Sequence, residues 1–193
     1  MKTELRIRKC CACRIPFHQQ RPLQKACSPR CAELDAVRRR ERRDAVQRRQ
    51  QRVSDRAHAE TLKSLRELIE EAQKSFNAFI RFRDRHQRCI CCDQPFEPER
   101  PGGAVDAGHY LARSIAPQHR FNEDNVFAQR KNCNRPGGTT RAAFRAGVES
   151  RIGLQRLEAL ESDTTVHKWA KDEVRAIRDD YRAKLKQLKK EAA

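Results

Sequence analysis

The sequence predicts an α+β protein that is mostly α, built from small cysteine-bearing modules joined by long helices. Three observations lead there. Charged residues make up 36% of the chain and hydrophobic residues only 37%, Ala and Cys included, so 193 residues have little with which to fill a large core. Neither Gly nor Pro occurs between Cys31 and Arg88, where Ala, Arg, Gln, Glu and Leu, all good helix formers, dominate. Nine cysteines stand against 8 Phe, 2 Tyr and 1 Trp, and small modules with thin cores usually depend on such staples. The expected organisation is an N-terminal cysteine knuckle over 1–35, a long basic and then amphipathic helix over 36–88, a small mixed module over 89–141 and a helical region over 142–193.

The knuckle carries C10-C-A-C13 and C27-S-P-R-C31, two pairs separated by thirteen residues. Four thiolates at that spacing suit one tetrahedral zinc, with Cys10, Cys13, Cys27 and Cys31 as ligands and Cys11 as a bystander that could exchange with Cys10. Zinc is favoured over disulfides because M-K-T-E-L-R-I-R-K has no apolar segment of the kind that exports a chain, which points to a reducing cytoplasm. Such a knuckle is more often a folding staple than a contact to DNA. No apolar run approaches membrane-spanning length, so no membrane partner is expected.

Ser28 and Pro29 make an N-cap and first-turn pair for the helix that follows. Run unbroken to residue 88, it would be roughly 80 Å long. Its first half holds Arg38, Arg39, Arg40, Arg42, Arg43, Arg48, Arg49, Arg52 and Arg56 against three acids, with only Val46 and Val53 as larger apolar side chains. A merely solvated helix would need less charge, and the formal net charge of +17 points the same way, to a polyanion such as nucleic acid. In the second half Leu62, Leu65, Ile69, Ala72, Phe76 and Phe79 recur at spacings of three and four and form one apolar stripe. That stripe needs a cover, either elsewhere in the chain or along a dimer seam.

R88-C89-I-C-C92-D-Q-P reads as a second zinc knuckle, yet only Cys133 follows as a partner, and position 130 is Arg. Three sulfurs then need a fourth ligand, for which Cys91, His86, a water or a carboxylate could serve; alternatively the sulfurs are simply buried. Residues 100–104, R-P-G-G-A, read as a turn, and V105-D-A-G-H-Y-L as a strand in which Gly108 would let a backbone or phosphate approach closely. A lone histidine is usually a packed or surface residue. His109 has neighbours that change this: Asn125 in a returning segment, where its amide could pin the loop that orients a base, and Asn134 directly after Cys133 at an expected helix start. His109 could deprotonate water, and Asn134 could supply oxygen to a hard cation such as Mg2+ or Mn2+. Asp106 could join it, although on an extended strand it faces away from His109 and needs twist or a bulge to reach the same ion. Arg113 and Arg120 flank this centre and could hold phosphates. His119 reads as loop.

Towards the C-terminus, Phe144, Val148 and Ile152, then Gly153, then Leu154, Leu157 and Leu160 mark an interrupted amphipathic helix. S162-D-T-T reads as the cap of a final helix bearing Val166, Trp169, Val174, Ile177, Tyr181, Leu185 and Leu188 along one side.

The combination P-L-Q-K-A-C-S-P-R-C-A, C-I-C-C, D-A-G-H-Y-L-A-R, R-F-N-E-D-N-V-F-A-Q and C-N resembles the lambdoid-phage NinG (Rap) family over nearly the whole chain. The resemblance implies a structure-selective endonuclease that binds and resolves branched DNA, such as D-loops and Holliday junctions, in phage recombination. It also implies an HNH-like (ββα-metal) core on a four-Cys zinc site, with His109 as base, Asn125 as loop pin and Asn134 as metal ligand. Such families usually show Cys where this chain has Arg130. Symmetric cleavage of a junction needs two active sites, so a homodimer is expected. The competing expectations are a non-catalytic branched-DNA-binding accessory protein and a zinc-containing RNA-binding protein.

Overall fold

Ser64 divides the long helical span in two, so the single rod expected from residues 31 to 88 is replaced by α1 (Pro29–Leu62) and α2 (Leu65–Arg83). The cause is a capping box: the Ser64 hydroxyl accepts from the Glu67 N–H at 3.3 Å while the Glu67 carboxylate accepts from the Ser64 N–H at 2.8 Å. In this computed structural model residues 6–97, 99 and 105–192 are described, and the turn read at residues 100–104 lies outside them. The chain separates into two compact units, residues 1–62 and 63–193.

In the first unit, β1 (Ile7–Lys9) pairs antiparallel with β2 (Pro16–His18) around the first cysteine knuckle, and Cys31 lies in the first turn of α1. The 34 residues of α1 have no buried member, and its larger apolar side chains stand open, Val46 at 57% and Val53 at 65% exposure. All nine arginines from Arg38 to Arg56 are exposed. A helix of roughly 50 Å with no buried face holds through propensity and local pairs such as Arg39–Asp35 (2.6 Å).

In the second unit the apolar stripe is covered within the chain. Leu68, Ala72, Phe76, Phe79 and Ile80 of α2 are buried, chiefly against Val174 and Tyr181 of α5 (Lys171–Glu191), with Leu65 and Ile69 half-buried beside them. Leu62 is outside the stripe, on α1 and 70% exposed, and Leu68, which the spacing argument passed over, is fully buried. The dimer-seam alternative for this stripe is therefore removed. The last helix begins at Lys171, not at the S162-D-T-T segment; residues 163–170 are non-helical and Val166 is 89% exposed.

Two short strands run between two small cores. β3 (Val105–His109) pairs antiparallel with β4 (Val126–Arg130) without a bulge, His109 opposite Val126 and Asp106 opposite Gln129. Alternation sends Val126 and Ala107 to the α2–α5 core and Phe127 to a second core. That core holds Ile90, Tyr110, Phe144, Val148, Leu157 and Leu160, the last four from α3 (Arg141–Ile152) and α4 (Leu154–Ser162). Gly153 separates these helices at φ 82°, a conformation that glycine adopts without strain. Covered on both faces, β4 is buried from Val126 to Gln129, and its outer edge is also satisfied. There Ala128 donates its N–H to the Asp84 carboxylate at 2.9 Å and accepts from Ile90 N–H at 3.3 Å.

Candidate active site

The loop between β3 and β4 carries Arg113, Arg120 and Asn125, and His109 precedes it at the end of β3. Asn125, fully buried, accepts the Leu111 N–H on Oδ1 at 2.7 Å and donates through Nδ2 to the Leu111 and His119 carbonyls at 3.0 and 3.1 Å. Its own carbonyl accepts from Tyr110 N–H at 2.9 Å. One side chain thus closes the loop on itself. Phe121 anchors the same loop in the core, edge-on to Phe76 and Trp169, and Tyr181 donates its hydroxyl to the Phe121 carbonyl at 3.3 Å.

The carbonyl of Arg120, held by this loop, lies 3.0 Å from His109 Nε2. A carbonyl can only accept, so Nε2 carries the proton and Nδ1 is left as the acceptor nitrogen. Burial, with the Arg113 and Arg120 charges adding to it, lowers the His109 pKa to about 4, against the pull of the Arg120 carbonyl. The ring is neutral at physiological pH. Arg120 is itself lowered by burial and by Arg113.

His109, Asp106, Arg113, Arg120 and Asn134 line one open cleft of about 730 Å³. Asp106 lies on the opposite face of β3 from His109, as alternation requires, and no bulge intervenes. Among the described residues β3 pairs only with β4, and the cleft takes side chains from both faces of β3. Asn134 donates Nδ2 to Asp106 Oδ2 at 3.2 Å, which brings the two side chains together in the cleft. Two oxygen-bearing side chains open to solvent suit a hard divalent cation that keeps several waters. Asn134 does not open a helix: residues 131–134 are turns, and α3 begins only at Arg141.

Among the cleft residues that escaped the sequence reading are Asn77 and Arg81 of α2. They lie one turn apart next to the apolar stripe, and nothing in their spacing signals a role until β3 is docked beside them. At Gly108 a Cβ would stand 2.0 Å from Gln129 Oε1, so the residue makes room for that buried amide. His119, read as loop, instead ends a short 3-10 helix, Pro117–His119, where it is buried 3.3 Å from Asp163.

Both cysteine knuckles have the same backbone design. Cys10 accepts on its carbonyl from Arg14 N–H and donates its N–H to Ile15, each at 3.0 Å; Cys89 does the same with Asp93 at 3.0 Å and Gln94 at 2.9 Å. Arg14 and Asp93 both have positive φ, 66° and 49°. The Cys10, Cys13, Cys27 and Cys31 sulfurs lie within 4.8 Å of one another, with Cys13–Cys27 and Cys27–Cys31 at 3.6 Å. Tetrahedral zinc at 2.3 Å would set sulfurs about 3.8 Å apart, so the cluster fits the ion. Cys11 is outside it. The backbone N–H groups of Cys13 and Cys27 lower the Cys10 pKa to about 6, whereas the Cys31, Cys10 and Cys13 side chains push Cys27 up to about 12. Four thiolates so close together need a dication to coexist.

The second cluster holds Cys89, Cys92 and Cys133, with Cys92 and Cys133 at 3.5 Å. Neither Cys91 nor His86 belongs to it, and no carboxylate joins among the described residues. Cys89 is lowered to about 4, chiefly by the Cys91 thiol, and burial pushes Cys133 up to about 12. Gln129 connects this cluster to the ribbon, with Nε2 at 2.9 Å from Cys91 Sγ and 3.1 Å from the Cys133 carbonyl.

The protein-family model described as Bacteriophage Lambda NinG protein matches residues 2–191. Among curated proteins, the chain is similar to protein ninG of Escherichia phage lambda, 39% identical over 121 residues, which is 63% of this chain and 57% of that protein. It is 38% identical over the same length to protein ninG of Salmonella phage P22, again 57% of that protein, and to that of Escherichia phage 933W, 58% of that protein. The alignments thus span little more than half of the curated relatives' length. No solved structure matches.

Proposed function

The chain belongs to the bacteriophage lambda NinG family, and from that premise we propose that it is a metal-dependent endodeoxyribonuclease acting on branched DNA in phage recombination, with an HNH-like centre on β3 and β4. The observation that carries the reading is the fixed tautomer of His109 in a cleft shared with Asp106 and Asn134. With Nε2–H held by the Arg120 carbonyl, Nδ1 takes the proton from a water entering the cleft. Asn125 keeps the loop, and with it that carbonyl, in place. Asp106 and Asn134 would hold a Mg2+ or Mn2+, whose chemistry is to stabilise the charge that develops on the phosphate. Arg113, Arg120 and Arg81 line the cleft with positive charge for the phosphates flanking the scissile bond.

The exposed arginines of α1 supply contacts to phosphates, which position a protein on DNA without reading its sequence. That suits selection by branch shape. Cleaving both strands of a junction calls for two copies of the site, hence a homodimer. Because the stripe on α2 is already covered, its interface must lie on another surface.

The deciding experiment is cleavage of a synthetic four-way junction by wild type and His109→Ala, with and without Mg2+. The expected result is Mg2+-dependent nicking by wild type, lost in His109→Ala while junction binding persists. Undiminished cleavage by the variant overturns the role of His109. Binding without cleavage by wild type in either Mg2+ or Mn2+ reduces the protein to a DNA-binding accessory, and preferential binding of structured RNA would redirect it altogether.

A further inference from the structure

Comparison of the two knuckles within this one chain shows a vertex missing from the second. Around Cys10 and Cys13 the tetrahedron is completed by two further thiols, Cys27 and Cys31. Around Cys89 and Cys92, which repeat that backbone design hydrogen bond for hydrogen bond, only Cys133 arrives. Arg130, at the end of β4 and three residues before Cys133, lies against the cluster. Its N–H donates to Cys89 Sγ at 3.2 Å, but its guanidinium is turned away into an ion pair with Glu97 at 2.6 Å. Cys91 is outside the cluster: its thiol hydrogen-bonds Cys89, and its sulfur lies 2.9 Å from Gln129 Nε2. Cys89 and Cys133 are buried and Cys92 is exposed, so solvent reaches one side of the cluster.

We propose that the second cluster is a three-thiolate zinc site whose fourth position is open, filled by an exchangeable water and accessible to small external ligands such as a thiol or an imidazole. Zinc held by three protein ligands characteristically keeps a water or substrate at its fourth position, whereas closed four-ligand sites are structural. The site differs from the first in lability. Losing an inner ligand weakens the hold by on the order of 10-fold or more, since even outer-shell partners are worth 10–100-fold in affinity. The inference stands apart from the nuclease reading, because it concerns metal binding and is tested without any DNA.

The test uses the full chain. Zinc content is measured first, then release to a chromogenic chelator, for wild type, Arg130→Cys, Cys91→Ser and Cys133→Ser, with helix content followed by circular dichroism. Wild type should carry two zinc ions released in two phases, the faster at least roughly 10-fold ahead of the slower. Cys133→Ser should lose the fast phase alone. Arg130→Cys should slow the fast phase towards the slow one, and Cys91→Ser should leave both unchanged. In parallel, the Co2+-substituted wild type should change its visible spectrum when imidazole or a small thiol is titrated in, and Arg130→Cys should not. A single zinc in folded wild type overturns the proposal. Equal release of both ions, a Co2+ spectrum indifferent to added ligand, or loss of the second zinc in Cys91→Ser would show a closed site and overturn it as well.

Discussion

At the scale of single residues, the centre depends on hydrogen bonds that leave few alternatives. Asn125 makes three through its side chain, all to backbone groups of its own loop, so Asn125→Ala would strand the Leu111 N–H and two carbonyls in a buried place. The expected cost is about 2–4 kcal/mol in urea unfolding. His109 makes a second prediction. Its folded pKa of about 4 lies below the ordinary value of 6.5, so the unfolded chain binds this proton more readily. Its contribution is therefore present above pH 6.5 and is lost as pH falls from 6.5 through 4. Unfolding free energies measured at pH 7 and pH 5 should accordingly differ less in His109→Gln than in wild type. His109, Asn125 and Asn134 were legible in the sequence because each is a residue type with a narrow chemical use, placed beside others that share it. Asn77 and Arg81 were not, since a polar residue on an amphipathic helix is ordinarily a solvated one.

At the scale of elements, the break between α1 and α2 shows how composition can hide a boundary. Residues 31 to 88 contain no helix breaker, and propensity alone argues for one rod. S64-L-R-E67 is nevertheless a capping box, which stops one helix and starts another using only helix-tolerant residues. Ser64→Ala should lower stability by about 0.5–2 kcal/mol in thermal or urea unfolding. By contrast, Gly153 was legible as an interruption because glycine announces itself. The start of α5 was misplaced for the opposite reason to the missed break. S162-D-T-T looks like a cap, but Gln118 donates to the Asp163 carbonyl at 2.8 Å and Asp163 Oδ1 accepts from Thr165 N–H at 2.9 Å, so the segment spends its polar groups on turns. Asn134 also sits in a turn. Helix α3 waits for Thr140, whose hydroxyl accepts from Ala143 N–H at 3.1 Å.

At the scale of the whole molecule, charge is shared unequally between the two units. Residues 1–62 carry 17 of the 43 Lys and Arg and 7 of the 26 Asp and Glu, a net +10, whereas the remaining residues, more than twice as many, carry +7. If α1 supplies the phosphate contacts, replacing Arg38, Arg39, Arg40, Arg42, Arg43, Arg48, Arg49 and Arg52 with Gln should flatten the dependence of junction affinity on salt. Each contact removed should change the log–log slope by about 0.9. An unchanged affinity and slope, measured by fluorescence anisotropy between low and physiological salt, would move the DNA surface elsewhere. The absence of any buried side chain along α1 has a further consequence, in time rather than in charge. Local opening of a helix is opposed by the burial it would undo, and α1 has none to undo, whereas α2 would have to expose Phe76 and Leu68. Backbone amides of α1 should therefore exchange with solvent deuterium far sooner than those of α2, and a DNA strand laid along the arginines would slow that exchange, so that the helix records in its own hydrogens when it is bound.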